Sequence, residues 1–128
     1  MHLPSFAPHL TIAHGITDVS FYEKALGAKE LRRFSNDDGS IHVVEFSLGE
    51  QLFHLHEETS YKKEFAPESV GGTTVLIGVF VDDVDKVVKQ ALDAGAMLLS
   101  APQDYNYGLR QAEIKDPFGH SWLIEKVI

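Results

Sequence analysis

The chain repeats one order of elements in its two halves, and this repeat constrains the fold more than any other feature. The stretch FYEKALGAKEL, residues 21–31, resembles VVKQALDAGAMLL, residues 87–99. In each half an apolar strand leads into an amphipathic helix, and a turn of small residues then leads into further strands. The repeat therefore predicts two modules, each with the order βαβββ.

Both helices carry end signals in the sequence. Asp82 or Asp83 can cap the second helix, because a short carboxylate accepts hydrogen bonds from the unpaired N–H groups of the first turn. Gly95 supplies a left-handed residue that ends this helix. In the first half, Thr17 and Gly27 stand at the corresponding positions. The spacing thus predicts one helix in each module, with its apolar residues on a single face.

Alternation of polar and apolar residues predicts the strands. They cover residues 9–13, 40–48, 51–57, 74–81, 109–115 and 120–127. Hairpin turns are expected at Gly49–Glu50 and at Asp116–Gly119, where proline and glycine suit a tight turn. Together with the two helices, these strands predict the α+β fold class.

The repeat also predicts how the chain is divided. We expect residues 1–128 to form a single domain. Module 1 covers about 5–57, a linker without periodicity covers 58–72, and module 2 covers about 73–128. A chain of 128 residues is long enough to bury a core of its own.

Composition removes several classes of function. The formal net charge of −8 argues against nucleic acid as a partner, because phosphates require a basic face. The chain has no cysteine, which excludes disulfides, a thiolate nucleophile and cysteine-based zinc sites. It contains no apolar run long enough to span a membrane and does not begin like a secretory signal, so we predict no membrane partner and a cytoplasmic location.

Two short motifs connect this pattern to a known family. Paired βαβββ modules carrying FYEKALGA and DPFGHSW resemble the vicinal oxygen chelate superfamily, which includes glyoxalase I, extradiol dioxygenases and bleomycin-resistance proteins. The stretches PHLTIAHGITDVSFYEKALGA and YGLRQAEIKDPFGHSW look most like its PhnB-like branch. The resemblance implies a cupped, barrel-like mixed sheet with helices on its outer face. It also implies a homodimer that binds a small molecule in the cup.

Enzymes of this superfamily hold a divalent metal with side chains from the first and last strand of each module. Carried over to this chain, those four positions fall on Ala7, His54, Leu76 and Leu123, of which only His54 can bind a metal. The resemblance therefore leaves open whether the chain holds one divalent metal (Zn, Ni, Mn or Fe) or none.

A displaced metal site is the alternative that the strands suggest. Residues two apart on a strand share a face, so His9, His56 and Glu125 point the same way as the lost ligands. With His54 they form a hypothetical set of imidazoles and a carboxylate, as found in many metal sites. Glu125 would then serve as ligand or catalytic base. The other interpretation makes Glu125 a solvated acid at the end of its strand.

Further candidates concern substrate binding. Arg110, in YGLR, could hold an anionic group with its bidentate fork, or could form an ordinary surface ion pair. Tyr105, Tyr107 and Trp122 could form an aromatic wall for a planar ligand, or could simply belong to the core. Thr11 on the first strand completes the set of candidate contacts.

Two functions stay open at this point. One is a protein that binds a small molecule in the cup, whether or not it also catalyses a reaction. Bleomycin-resistance proteins, which lack the metal and sequester a drug, are the model for binding alone. The other is a metal-dependent, glyoxalase-like lyase, isomerase or dioxygenase that uses the displaced His/His/Glu set.

Overall fold

The computed structural model describes residues 3–128 and contains the order βαβββ twice. The strands are β1 (His9–Ile12), β2 (Lys29–Ser35), β3 (Ile41–Leu48), β4 (Gln51–Glu57), β5 (Leu76–Phe80), β6 (Met97–Tyr105), β7 (Leu109–Lys115) and β8 (Ser121–Val127). The helices are α1 (Phe21–Leu26), α2 (Pro67–Val70) and α3 (Val84–Asp93). A turn of 3-10 helix, Ser60–Lys62, and the short helix α2 lie in the predicted linker.

Each module forms its own four-stranded mixed sheet. The strand orders are β1-β4-β3-β2 and β5-β8-β7-β6, which are equivalent. In each sheet the first strand runs parallel to the last, and the remaining pairs are antiparallel. The predicted α+β fold with two βαβββ modules is confirmed. Within residues 3–128 the two sheets stay separate and do not close into a barrel.

The two sheets share one hydrophobic core. Helices α1 and α3 pack against each other, and the apolar side chains of both sheets that face them join a single buried cluster. Phe46 and Leu55 enter this cluster from the first sheet, and Ile114 and Ile124 enter it from the second. Because side chains alternate along a strand, the opposite side of each sheet lies away from the helices. We call these two sides the open faces.

One buried carboxylate connects the two modules. Oδ2 of Asp116 accepts hydrogen bonds from the Tyr22 hydroxyl (2.6 Å) and from the Trp122 indole N–H (2.9 Å). Its Oδ1 accepts from the backbone N–H groups of Phe118 (2.9 Å) and His120 (3.0 Å). Burial, and next the negative charge of Asp116, raise the pKa of Tyr22 well above its usual value. Tyr22, in the first turn of α1, is therefore hydrogen-bonded to the turn between β7 and β8.

The helix ends agree with the sequence in one module and differ in the other. Oδ1 of Asp83 accepts a hydrogen bond from the Lys86 N–H at 3.1 Å, as predicted for the cap of α3. The predicted Thr17 cap of α1 is wrong, because Ser20 occupies the N-cap and its side chain makes no capping bond. Oδ1 of Asp18 instead accepts from the Ser20 N–H at 2.9 Å, which holds an extra turn ahead of the helix.

None of the helices within residues 3–128 is long and apolar enough to cross a membrane.

The single-domain prediction and the division at the linker stay predictions, and the strands of each sheet fall inside the predicted module ranges.

Candidate functional site

The open face of the first sheet carries histidines from neighbouring strands. β1 and β4 pair in parallel, so that His9 lies beside His54 and Thr11 beside His56. The buried neighbours Leu10 and Leu55 alternate with them and face the helices. The register therefore places the three imidazoles and Thr11 on the same face of the sheet.

Each of the three imidazoles has a neighbour of its own. The rings of His9 and His54 stack with centroids 4.4 Å apart and planes 13° from parallel. Nε2 of His54 lies 2.8 Å from a carboxylate oxygen of Glu45, and Nε2 of His56 lies 3.6 Å from one of Glu64. Burial, followed by the charges of His54 and His56, lowers the pKa of His9. Nδ1 of His54 is buried and has no hydrogen-bond partner within residues 3–128.

This arrangement does not fit the divalent metal that the superfamily implies. Imidazole lone pairs lie in the ring plane, so the stacked rings of His9 and His54 point them side by side and not toward one ion. Glu125, the fourth member of the hypothetical set, belongs to the other sheet. In the described part of the chain, no three His, Asp or Glu side chains are placed to hold a metal ion.

The open face of the second sheet carries a polar chain that ends at Glu125. Gln111 pairs with Glu125 across β7 and β8, and its amide N–H donates to Oε1 of the carboxylate at 2.8 Å. The Tyr107 hydroxyl donates to Oε1 of Gln111. The rings of Tyr105 and Tyr107 stack with centroids 5.3 Å apart and planes 14° from parallel. An aromatic surface and a carboxylate are thus connected through one amide.

The absence of a side chain at Gly78 leaves room for the Glu125 carboxylate. A Cβ added at Gly78 would lie 2.6 Å from Oε2 of Glu125, far inside van der Waals contact. The space beside Gly78 on β5 is therefore occupied by the Glu125 side chain, which is only 7% exposed. The prediction of a solvated rim acid is wrong, because the side chain bends back over the neighbouring strand.

Two predicted contacts lie elsewhere. Arg110 precedes Gln111 on β7 and so points to the opposite side, where its guanidinium donates to both oxygens of Asp85 and to Asp104, all at 2.9 Å. These bonds, those to Asp85 first, raise the pKa of Arg110. Trp122 is 2% exposed and packs in the core, so the structure separates it from the tyrosine pair.

Two clefts lie where the first strands of the modules approach each other. The larger, of about 710 Å³, is bounded by β1 residues His9 and Thr11, by β5, and by the linker. The smaller, of about 590 Å³, lies between residues 5–8, the β3–β4 hairpin and β5, and Trp122 forms part of its wall. Thr11 and Trp122 therefore line different clefts.

Sequence reasoning missed Gln111, Glu45 and Glu64. A signal existed for Gln111: extending the hairpin from the predicted Asp116–Gly119 turn places Gln111 opposite Glu125. Glu45 could be found in the same way, because the Gly49–Glu50 turn sets it opposite His54. Glu64 lies in the linker, where no periodicity indicates its neighbours.

The fold and the open faces define the class to which the chain belongs, that of proteins built from paired βαβββ modules. A sequence model of the Glyoxalase/Bleomycin resistance protein/Dioxygenase superfamily matches residues 18–124, and the chain belongs to this superfamily. The resemblance stated from the motifs is thereby confirmed at the level of the superfamily.

Individual relatives agree with this assignment. The chain is 34% identical over 124 residues to the uncharacterized protein Mb0911c of Mycobacterium bovis, covering 94% of this chain and 82% of that protein. The crystal structure of TioX from Micromonospora sp. ML1 is similar with a TM-score of 0.70 and 25% identity, over 97% of this chain and 100% of TioX. TnmS3, an antibiotic binding protein from Streptomyces sp. CB03234, shares the fold with a TM-score of 0.66 and 16% identity over the full length of both chains.

Proposed function

We propose that the chain is a binding protein that holds a small planar molecule on the open face of the second sheet. One observation carries this proposal: the stacked Tyr105–Tyr107 pair lies next to a carboxylate that Gln111 orients. Flat aromatic rings provide contact area for a planar ligand, and a few fixed polar groups provide its orientation. The similarity in fold to TnmS3, an antibiotic binding protein, supports a small molecule as the ligand.

The enzymatic alternative requires a different geometry. A metal-dependent lyase, isomerase or dioxygenase would need His9, His54 and Glu125 around one ion. Glu125 lies on a different sheet from the two histidines, whose rings stack and do not converge on one point. The described side chains therefore give us no basis for proposing the metal site, a catalytic role for Glu125 or a catalysed reaction.

We further propose that a second copy of the chain covers the open faces, giving a homodimer. Large apolar side chains on these faces are exposed, among them Phe34 (54%), Leu76 (47%) and Phe80 (64%). A second copy that brings these side chains together would remove them from water, and this supports the proposal. Light scattering after gel filtration tests this, and a monomer across the concentration range would contradict it. We also propose that the chain is a member of the PhnB-like branch, that it forms a single domain and that it is located in the cytoplasm.

The binding proposal is tested with acridine, a planar aromatic molecule that is neutral at mildly alkaline pH. Titration followed by amide NMR should show saturable shifts at residues 105–111 and 121–127. Tyr105→Leu removes one ring of the pair and should weaken acridine binding. Tyr61→Leu is the matched control, because Tyr61 is an exposed tyrosine (81%) in the linker. Equal binding by both variants, or shifts confined to other surfaces, would refute the site.

A further inference from the structure

The chemistry of the Glu125 carboxylate suggests which ligands the open face accepts. Its side chain is almost fully buried, and Gln111 occupies only Oε1. Within residues 3–128 no lysine, arginine or histidine forms an ion pair with Glu125, and no group donates a hydrogen bond to Oε2. A carboxylate with one oxygen bonded and no ion-pair partner among the described residues keeps its other oxygen for a ligand.

The orientation of Gln111 determines what the carboxylate can still accept. Because the Tyr107 hydroxyl donates to Oε1 of Gln111, the amide N–H₂ group faces Glu125. Gln111 therefore donates to the carboxylate, and the remaining oxygen offers only an acceptor. A ligand that meets Oε2 must bring a hydrogen-bond donor, and a donor with positive charge makes the stronger bond.

Gly78 keeps that acceptor in position. Oε2 lies over the α-carbon of Gly78, in the space that any other side chain would fill. The neighbouring tyrosine faces would also attract a planar cation through their ring quadrupoles. The net charge of −8 favours the approach of a cation to the chain as a whole.

We propose that the open face of the second sheet selects planar molecules carrying a cationic nitrogen, that Oε2 of Glu125 binds this nitrogen, and that Gly78 determines this specificity. The inference rests on the proposed binding function and adds the chemical class of the ligand.

Three probes with the same ring system test it: proflavine, which is cationic at mildly alkaline pH, acridine, which is neutral, and acridine carboxylate, which is anionic. The wild-type chain should bind proflavine most tightly and acridine carboxylate most weakly. Glu125→Gln should weaken proflavine binding by roughly 10- to 100-fold, the range of one charged hydrogen bond, and weaken acridine binding much less. Glu113→Gln is the matched control, because Glu113 lies on the same face two residues from Gln111 and the variant changes the net charge equally.

Gly78→Ala tests the same assignment without removing the carboxylate. Its Cβ must displace Oε2, so proflavine should lose much more affinity than acridine. Melting curves of each variant show whether the fold persists. Acridine binding without a preference for proflavine, or a preference that survives both Glu125→Gln and Gly78→Ala, would overturn this inference and leave the binding function standing. Absence of binding by all three probes would overturn the binding function itself.

Discussion

The hydroxyl of Tyr22 donates a 2.6 Å hydrogen bond to Oδ2 of Asp116, joining residues 94 positions apart in the chain. Both groups are buried, and Asp116 accepts three further bonds from its own turn and from Trp122. The contact therefore connects α1 of module 1 to the last hairpin of module 2.

Removing that hydroxyl should destabilise the whole fold. Tyr22→Phe keeps the ring in the core but leaves Asp116 with one donor fewer in a buried site. We expect the free energy of unfolding to fall by about 1–3 kcal/mol. Urea unfolding measures this, with Tyr61→Phe as the control on an exposed ring. Equal stability of the two variants would show that the contact contributes nothing.

The turn at Gly119 should tolerate no side chain. Its φ is +96°, and a Cβ there would lie 2.8 Å from the Cβ of Pro67 in the linker. Gly119→Ala should cost at least about 1 kcal/mol of stability because both the backbone and this contact are strained. Gly72→Ala is the control, since a Cβ at that position meets no atom within 4 Å and its φ is not in the left-handed region. Thermal unfolding of both variants measures the loss of stability in each.

Acid should destabilise the chain partly through Glu57. A hydrogen bond from Asn36, followed by those from His14 and His42, lowers the pKa of Glu57 from 4.5 to about 2. The unfolded chain therefore takes up this proton first as the pH falls, so the stabilisation is complete above pH 4.5 and is lost toward pH 2. In Glu57→Gln the free energy of unfolding should fall less steeply over this interval than in the wild type. Parallel curves from urea unfolding at each pH would contradict the assignment.

Arg110 should matter little for either stability or binding. Its partners Asp85 and Asp104 are 60% and 62% exposed, and ion pairs between exposed groups contribute little to stability. Arg110→Met should therefore unfold near the wild-type urea concentration and bind acridine carboxylate with unchanged affinity. A loss of affinity specific to this anionic probe would restore Arg110 as a ligand contact.

Metal ions should not stabilise the chain through its histidines. Because the His9 and His54 rings stack, Zn, Ni, Mn or Fe(II) should raise the melting temperature of the wild type no more than that of His54→Ala. Metal analysis of gently purified, tag-free protein provides the independent check. A stoichiometric metal that is lost in His54→Ala and Glu125→Ala would mean that the imidazoles rearrange around an ion.

Local patterns predicted the fold because each module repeats them. The strand periods, the Asp83 cap and the Asp116–Gly119 turn are encoded within a few neighbouring residues, and all three are present. The start of α1 was mispredicted because Asp18 competes with Thr17 for the same amide groups. Competition between adjacent short polar side chains depends on small differences that a sequence pattern does not express.

Only those features of the site that follow from the alternation of side chains along a strand could be predicted. Alternation placed His9, His54 and Glu125 on open faces, and applied strictly it would also have separated Arg110 from Gln111. The stacking of His9 on His54 depends on side-chain torsions that no spacing reports. The bend of Glu125 over Gly78 joins two strands whose neighbourhood becomes visible only once the sheet order is known.

The Tyr22–Asp116 bond makes the two duplicated halves different from each other. In the aligned repeat, valine (Val88) takes the place of Tyr22 in α3, and the β3–β4 turn has no aspartate where module 2 has Asp116. Module 1 thus carries the donor of this bond and module 2 carries the acceptor. Two halves of the same kind could not form this bond, so the divergence of the two copies favours the pairing of unlike halves.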